Sequence, residues 1–207
     1  MKSFLTLLSS IYTYIHLNIY CLYLLIYYKT QMTLPKIIGI LGRSRSGKDT
    51  AATIIKKLHP IYTIHRFAQP IKNALQEIYD FTPEQLEDDQ KELLDPRYNI
   101  SPRQAMQDMT YFYLDKHGAG FFSDKLFSIF DNNKTKRIII PDVRYEHDIH
   151  QIHKRGGIII KIVRPSLSLQ HKVENNINEL KGDYEIINDG TINDLEDEIN
   201  VLFNQIV

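Results

Sequence analysis

Short apolar runs alternate with longer stretches of helical period along most of the chain. Ile37-Ile38-Gly39-Ile40-Leu41, entered through Lys36, has the length and continuity of a strand buried on both faces. Ala51 to Leu58 then reads as an amphipathic helix that stops near His59-Pro60. The same alternation predicts a strand over Tyr62–Phe67 and a helix over Pro70–Tyr79. Ser101 as cap and Pro102 in the first turn open a further helix running to Lys116, and another follows from Gly120 to Phe130. Arg137–Asp142 is an apolar strand ending on a carboxylate, Tyr145–Lys154 a helix closed by Gly156-Gly157, and Ile158–Val163 a strand. Tyr184–Asn188 and Ile192–Ile206 supply the last strand and helix. Strand and helix in turn, without internal repeats, predict an α/β domain with a doubly wound parallel β-sheet. Ligands of such folds collect at the carboxyl ends of the strands, which here carry Gly42, Arg66, Asp142, Arg164 and Asn188.

Two stretches lack a period. Phe81 to Ile100 is acidic, with Glu84, Glu87, Asp88, Asp89, Glu92 and Asp95, and bears Pro83 and Pro96; by default such a run is a solvated, mobile segment. Arg164 to Asp183 is polar throughout.

The first strand leads into Gly42-Arg43-Ser44-Arg45-Ser46-Gly47-Lys48-Asp49-Thr50, and this loop brings in chemistry. The spacing from Gly42 to Gly47-Lys48 is that of a phosphate-binding P-loop. Gly42 and Gly47 permit backbone angles that let successive N–H groups form an anion nest, and the following helix adds its positive end. Lys48 then reaches the β- and γ-phosphates as a point charge. Ser or Thr ordinarily follows the lysine to meet magnesium, but Asp49 stands there and Thr50 comes next. A carboxylate beside a triphosphate repels it unless a cation lies between. Asp49 therefore either helps hold Mg2+, directly or through water, or turns away to a backbone hydrogen bond.

The chain has 207 residues and zero formal net charge, enough for one medium-sized domain and too little basic excess for a sequence-independent nucleic-acid binder. Its single cysteine, Cys21, excludes an internal disulfide and fits a reducing, cytoplasmic compartment. Residues 1–31 form a hydrophobic leader, uncharged from Phe4 to Tyr28. As a helix residues 4–28 would span roughly 37 Å, enough to cross a bilayer core of roughly 30 Å. His16 and Asn18 at its middle, and six tyrosines, weaken that reading, and no small-residue cleavage site supports secretion. The leader is thus a membrane anchor or a dispensable extension ahead of a start at Met32, and the domain proper is 32–207.

Phosphoryl transfer asks for alignment and charge neutralisation. Asp142 at a strand end suits a second carboxylate for magnesium. Arg66, Arg103, Arg144 and Arg164 stand at strand ends or a helix start, and each fork on a phosphate is worth roughly 1.5–3 kcal/mol. The ordered set Gly42–Thr50, Ala68-Gln69-Pro70-Ile71-Lys72, Ser101-Pro102-Arg103-Gln104, Pro141-Asp142-Val143-Arg144, Val163-Arg164-Pro165 and Ile187-Asn188-Asp189-Gly190 resembles deoxynucleoside monophosphate kinases of the phage type. The resemblance runs from Lys36 to the last helix. It implies a P-loop NTPase fold of the nucleoside monophosphate kinase type, with transfer of the ATP γ-phosphate to a deoxynucleoside monophosphate in the presence of Mg2+. It also implies small-molecule nucleotide partners, and it leaves room for a homodimer. Carried over by position, Lys48, Arg144 and Arg164 serve the transferring group, with Asp49 and Asp142 at the metal. Arg66, Lys72, Arg103 and Gln104 would meet the acceptor. An acceptor-binding insert would cover about residues 80–130, and a short lid, including His171 and Glu174, about 164–184.

Other constellations compete. His147, His150 and His153 recur at threes on one helix, as a solvated face or a metal site. Tyr111, Phe112, Tyr113, Phe121 and Phe122 serve the core or stack on a base, and Asn188 to Gly190 form a turn or lie near the adenine. A signalling GTPase would need an Asn-Lys-x-Asp element, and Asn133-Lys134-Thr135-Lys136 lacks the aspartate. Phosphomevalonate kinases of the animal type share the loop and the strand ending Asp-x-Arg. A nucleotide-binding module without catalysis is the remaining alternative.

Overall fold

The computed structural model describes residues 15–20, 22, 33–87, 89–132, 136–165 and 175–206. Five strands form one parallel sheet: β1 (Ile37–Leu41), β2 (Tyr62–Ile64), β3 (Arg137–Val143), β4 (Ile158–Val163) and β5 (Tyr184–Ile187), in the order β2-β3-β1-β4-β5. The helices are α1 (Lys48–Leu58), α2 (Gln69–Tyr79), α3 (Pro102–His117), α4 (Phe121–Phe130), α5 (Glu146–His153), α6 (Asn175–Glu179) and α7 (Ile192–Ile206). From β1 the chain moves outward to β2, returns to β3 beside β1, then crosses to β4 and β5 on the other side. That reversal makes the doubly wound sheet, with its switch point at the carboxyl end of β1.

The apolar run of β1 occupies the sheet's centre, every residue buried. Its flanking strands β3 and β4 are nearly as apolar, whereas the edge strands β2 and β5 are short and partly polar, which leaves little unpaired edge. Gly39 lets α5 press against β1, since a Cβ there would lie 2.7 Å from Ile152 Cδ1 and 2.6 Å from Ile159 Cδ1. One core cluster joins Ile37, Leu41, Ile138, Ile140, Val143 and Ile159 of the sheet to Phe67, Phe127 and Ile152.

In β3 the pairing with β1 slips by one residue, with Gly39 opposite Ile140 but Leu41 opposite Val143. Pro141, lacking an N–H, stands at the slip together with Asp142. A bulge of this kind redirects a side chain at the end of a ladder, and here that side chain is Asp142.

The acidic stretch 81–100 departs from the loose segment expected of it. It holds two 3-10 turns, Glu84–Leu86 and Gln90–Glu92, and Phe81 and Leu86 are buried in a second apolar cluster with Ile71, Leu75 and Ala105. Asp95 is buried too, accepting from Arg97 N at 3.0 Å and Arg97 Nη2 at 2.8 Å while its backbone bridges to Ile100. Those Arg97 hydrogen bonds hold its carboxyl well below the usual range. Two burials and one anchored turn thus fix the approach to Ser101, whose Oγ accepts from Gln104 N at 3.2 Å and caps α3.

The chain divides into two compact units, residues 35–200 and residues 1–34 with 201–207. The leader expectation falls largely outside the described residues; those described, 15–20 and 22, are helical, with Ile15, Leu17, Ile19 and Leu22 exposed. Among the described residues no helix is long and apolar enough to cross a membrane.

Candidate active site

The P-loop between β1 and α1 is shaped by close packing. A Cβ on Gly42 would lie 2.5 Å from Ile162 O and 2.6 Å from Ser46 Oγ. Gly47 adopts φ +100°, and a Cβ there would meet Asn188 Nδ2 at 2.3 Å. Arg45 also takes a left-handed conformation, φ +61°, so the loop alternates handedness as an anion nest does. Asn188, at the carboxyl end of β5, is buried and donates from Nδ2 to Ser46 O at 2.8 Å. It supports the loop from below. The Lys48 ammonium donates to Arg43 O, inside the loop. Ser46 Oγ is buried with no hydrogen-bond partner among the described residues, a polar atom left for a ligand.

A cleft of about 560 Å³ opens in front of this loop, along the carboxyl ends of the strands. It gathers Lys48, Asp49, Thr50, Arg66, Lys72, Arg103, Asp142, Arg144 and Arg164, residues drawn from five separate stretches of chain. Asp49 faces into the cleft and pairs with Arg66, Oδ1 to Nη2 at 2.6 Å, so it does not turn away to a backbone amide. Asp142 Oδ1 accepts from Phe67 N at 3.0 Å and Oδ2 from Ala68 N at 2.9 Å. The bulge in β3 thereby ties the loop before α2 to the sheet. Burial pushes the Asp142 carboxyl up, against those two amides and the charges of Arg144 and Arg66. Asp148, in the first turn of α5, accepts from Arg144 N and Tyr145 N, both at 3.1 Å, and so fixes the backbone beside Arg144. Burial raises its pKa to about 6, opposed by the hydrogen bonds of Arg144, Ser123 and Tyr145.

Three cations of the cleft are held by carboxylates of the 84–92 stretch. Arg103 donates to Glu92 Oε1 from Nε at 2.9 Å and from Nη2 at 2.7 Å, holding the Glu92 carboxyl below its usual value. Lys72 pairs with Glu87, and Arg45 with Asp89. Arg144 and Arg164 have no ion-pair partner among the described residues.

A second, more apolar pocket of about 170 Å³ adjoins the cleft, lined by Phe67, Met106, Gln107, Thr110, Tyr111, Phe122, Tyr145 and Asp148. The α3 side chains facing the two cavities are Arg103, Met106, Gln107, Thr110 and Tyr111, one helical stripe. Gln104 is one residue, roughly 100°, off that stripe. It lies exposed and donates to Asp108 Oδ1 at 2.7 Å, outside both cavities. Of the aromatic candidates, Tyr111 and Phe122 line the pocket, while Phe112, Tyr113 and Phe121 pack on one another beside it. The histidines of α5 go separate ways: His147 meets Asp124 at 3.0 Å and His153 meets Asp183 at 2.9 Å. Among the described residues no three His, Cys, Asp or Glu side chains converge. The centre of the expected lid, residues 166–174 with His171 and Glu174, lies outside the described residues.

A family model of deoxynucleotide monophosphate kinases matches this chain over residues 36–101 and 91–199. A protein of Acanthamoeba polyphaga mimivirus named "Putative deoxynucleotide monophosphate kinase" is 30% identical over 182 residues, covering 79% of this chain and 93% of that one. The chain belongs to the deoxynucleotide monophosphate kinase family. Among solved structures, shikimate kinase of Aquifex aeolicus is similar at 14% identity and a TM-score of 0.46, covering 82% of this chain and 96% of that one. Dephospho-CoA kinase of Campylobacter jejuni is similar at 18% identity and a TM-score of 0.44, covering 83% and 97%. Family membership gives the P-loop and the cleft a common setting, a kinase fold whose phosphate loop faces a bank of cations.

Proposed function

We propose that the protein transfers the γ-phosphate of ATP to the 5′-phosphate of a deoxynucleoside monophosphate, giving ADP and the deoxynucleoside diphosphate. The observation that carries this reading is the junction of two cavities on one stripe of α3. Arg103 stands in the charged cleft opposite the P-loop, and Tyr111, two turns on, lines the apolar pocket beside Phe122. A molecule with a phosphate at one end and a flat ring at the other fits that sequence of surfaces.

In the reaction an oxygen of the acceptor phosphate attacks the γ-phosphorus, and the bond to the β,γ-bridging oxygen breaks as ADP leaves. The loop Gly42, Arg43, Ser44, Arg45, Ser46, Gly47, Lys48, Asp49 and Thr50 holds the ATP phosphates, with Ser46 Oγ free to donate and Lys48 exchanging Arg43 O for phosphate oxygen. Arg66, Lys72 and Arg103 bind the acceptor phosphate, trading Asp49, Glu87 and Glu92 for it. Arg144 and Arg164, already without ion-pair partners among the described residues, cover the charge in transfer. Mg2+, when bound, would supply charge neutralisation at the transferring phosphates. Asp49, Thr50 and Asp142 are the oxygen donors in the cleft suited to hold it, directly or through water. Gln104 has no part in this scheme.

The decisive experiment supplies ATP, Mg2+ and each deoxy- and ribonucleoside monophosphate in turn, with ADP release as readout. Acceptor-dependent turnover with at least one deoxynucleoside monophosphate is the expected result. Turnover with phosphomevalonate alone, or ATP binding with no acceptor-dependent turnover, overturns the proposal.

A further inference from the structure

Lys91 belongs to the second 3-10 turn, Gln90–Glu92, within the acidic stretch, and no motif marks it. Its side chain nevertheless lines the phosphate cleft. Its neighbours Glu87 and Glu92 are spent on Lys72 and Arg103, and the Lys91 side chain has no hydrogen bond or ion pair among the described residues. The amine is also half-buried. Desolvation lowers its pKa, and the charges of Arg103 and Lys72 lower it further, outweighing Glu87 and Glu92. A lysine that only served solubility would extend its ammonium into water and escape both penalties. Among the described residues the cleft is lined by eight Lys and Arg side chains against five Asp and Glu, an excess that calls for an anion.

We propose that Lys91 binds the 5′-phosphate of the acceptor nucleotide, as a flexible point charge beside the forks of Arg103. This deepens the function proposed above and rests on it. Arg103 comes from the first turn of α3 and Lys91 from the 3-10 turn packed beside it, so the phosphate is held from two elements. The 84–92 stretch then contributes in both states of the site. Its carboxylates hold Lys72 and Arg103 while the cleft is empty, and its lysine joins them on the phosphate once the acceptor enters. A dianion relieves the crowding of Lys91, Arg103 and Lys72, so its binding raises the Lys91 pKa towards the ordinary value.

The test combines kinetics with chemical labelling of the full chain. Lys91→Ala is expected to raise the acceptor KM about tenfold, with kcat and the KM for ATP within twofold of the unaltered protein. Lys91→Arg keeps the charge and is expected to stay within threefold. In brief acetylation read by mass spectrometry, protein holding a non-hydrolysable ATP analogue should lose labelling at Lys91 when a deoxynucleoside monophosphate is added. The matching deoxynucleoside, which lacks the phosphate, should not protect. An acceptor KM changed less than twofold in Lys91→Ala, or equal protection by the nucleoside, overturns the role while leaving the proposed function standing. Absence of turnover with every monophosphate in the unaltered protein overturns the proposed function and takes this role with it.

Discussion

The two banks of the phosphate cleft are built on different physics. On the P-loop side, shape is fixed by backbone and burial. Gly47 is left-handed, Gly42 has no room for a side chain, and Asn188 is locked to Ser46 O within the interior. On the side facing it, order comes from ion pairs that water reaches, Arg103 with Glu92 and Lys72 with Glu87. The first arrangement cannot be exchanged for another without breaking the loop. The second is a set of loans, since phosphate oxygen can replace carboxylate at each cation with little change in geometry. The function proposed above, one polyphosphate in a fixed cradle and a second, smaller ligand clamped against it, would call for that difference.

The largest effect expected from breaking the contrast is at Lys48. Lys48→Met should lower kcat by at least about a hundredfold, about 2.7 kcal/mol of barrier, because it removes charge from the transferring phosphate. Steady-state rates on folded variant decide it, and a loss under tenfold removes the loop from the mechanism. Next comes Arg103. Arg103→Ala should reduce kcat/KM for the acceptor by about tenfold to a hundredfold, the scale of one charge-assisted contact, with ATP affinity nearly unchanged. Arg103→Lys should rescue only in part, since it loses the fork. If Arg103 did no more than pair with Glu92, the loss would be about 0–1 kcal/mol in stability and nothing in kinetics.

Asn188→Ala tests the rigid bank by itself. Loss of the buried bond to Ser46 O should weaken ATP binding by about 1–2 kcal/mol, fivefold to thirtyfold, and leave acceptor affinity alone. Calorimetric titration with a non-hydrolysable ATP analogue reads this directly. The smallest effect, and the one of opposite sign, is expected at Glu92. Glu92→Gln frees Arg103 from an exposed partner worth about 0–1 kcal/mol, so the acceptor KM should fall by up to about fivefold. A rise instead would mean that the pair organises the site rather than guarding it.

The rigid bank was the legible one. Glycine spacing, an all-apolar strand and an amphipathic helix are local signals, and β1, the loop and α1 follow from them. Arg66, Lys72, Arg103, Arg144 and Arg164 could be placed at the cleft because strand ends and helix starts point there. Gln104 lies outside both cavities because adjacency in sequence is not adjacency on a helix; only the rotation of α3 decides that Arg103 and Gln107 face inward. Lys91 carried no signal at all, being one lysine in an acidic run whose course depends on the burial of Phe81 and Leu86. The contacts of Asp142 with Phe67 and Ala68 span 75 and 74 residues of chain, and no periodicity reports them. Asn188 reads equally as a turn residue or as a neighbour of the adenine, and its bond to the loop backbone depends on β5 lying next to β4, a matter of sheet order.

That bond has a consequence for the chain as it is made. The P-loop is complete in sequence by residue 50, yet the side chain that braces it comes from residue 188, at the end of β5, the last of the five strands. A nascent chain that has emerged only as far as β4 possesses the whole P-loop and still lacks the brace beneath Ser46. On the function proposed above, nucleotide would report completion: tight binding would begin when β5 is seated, late in synthesis, and ATP would then favour the finished chain over its unfinished precursors.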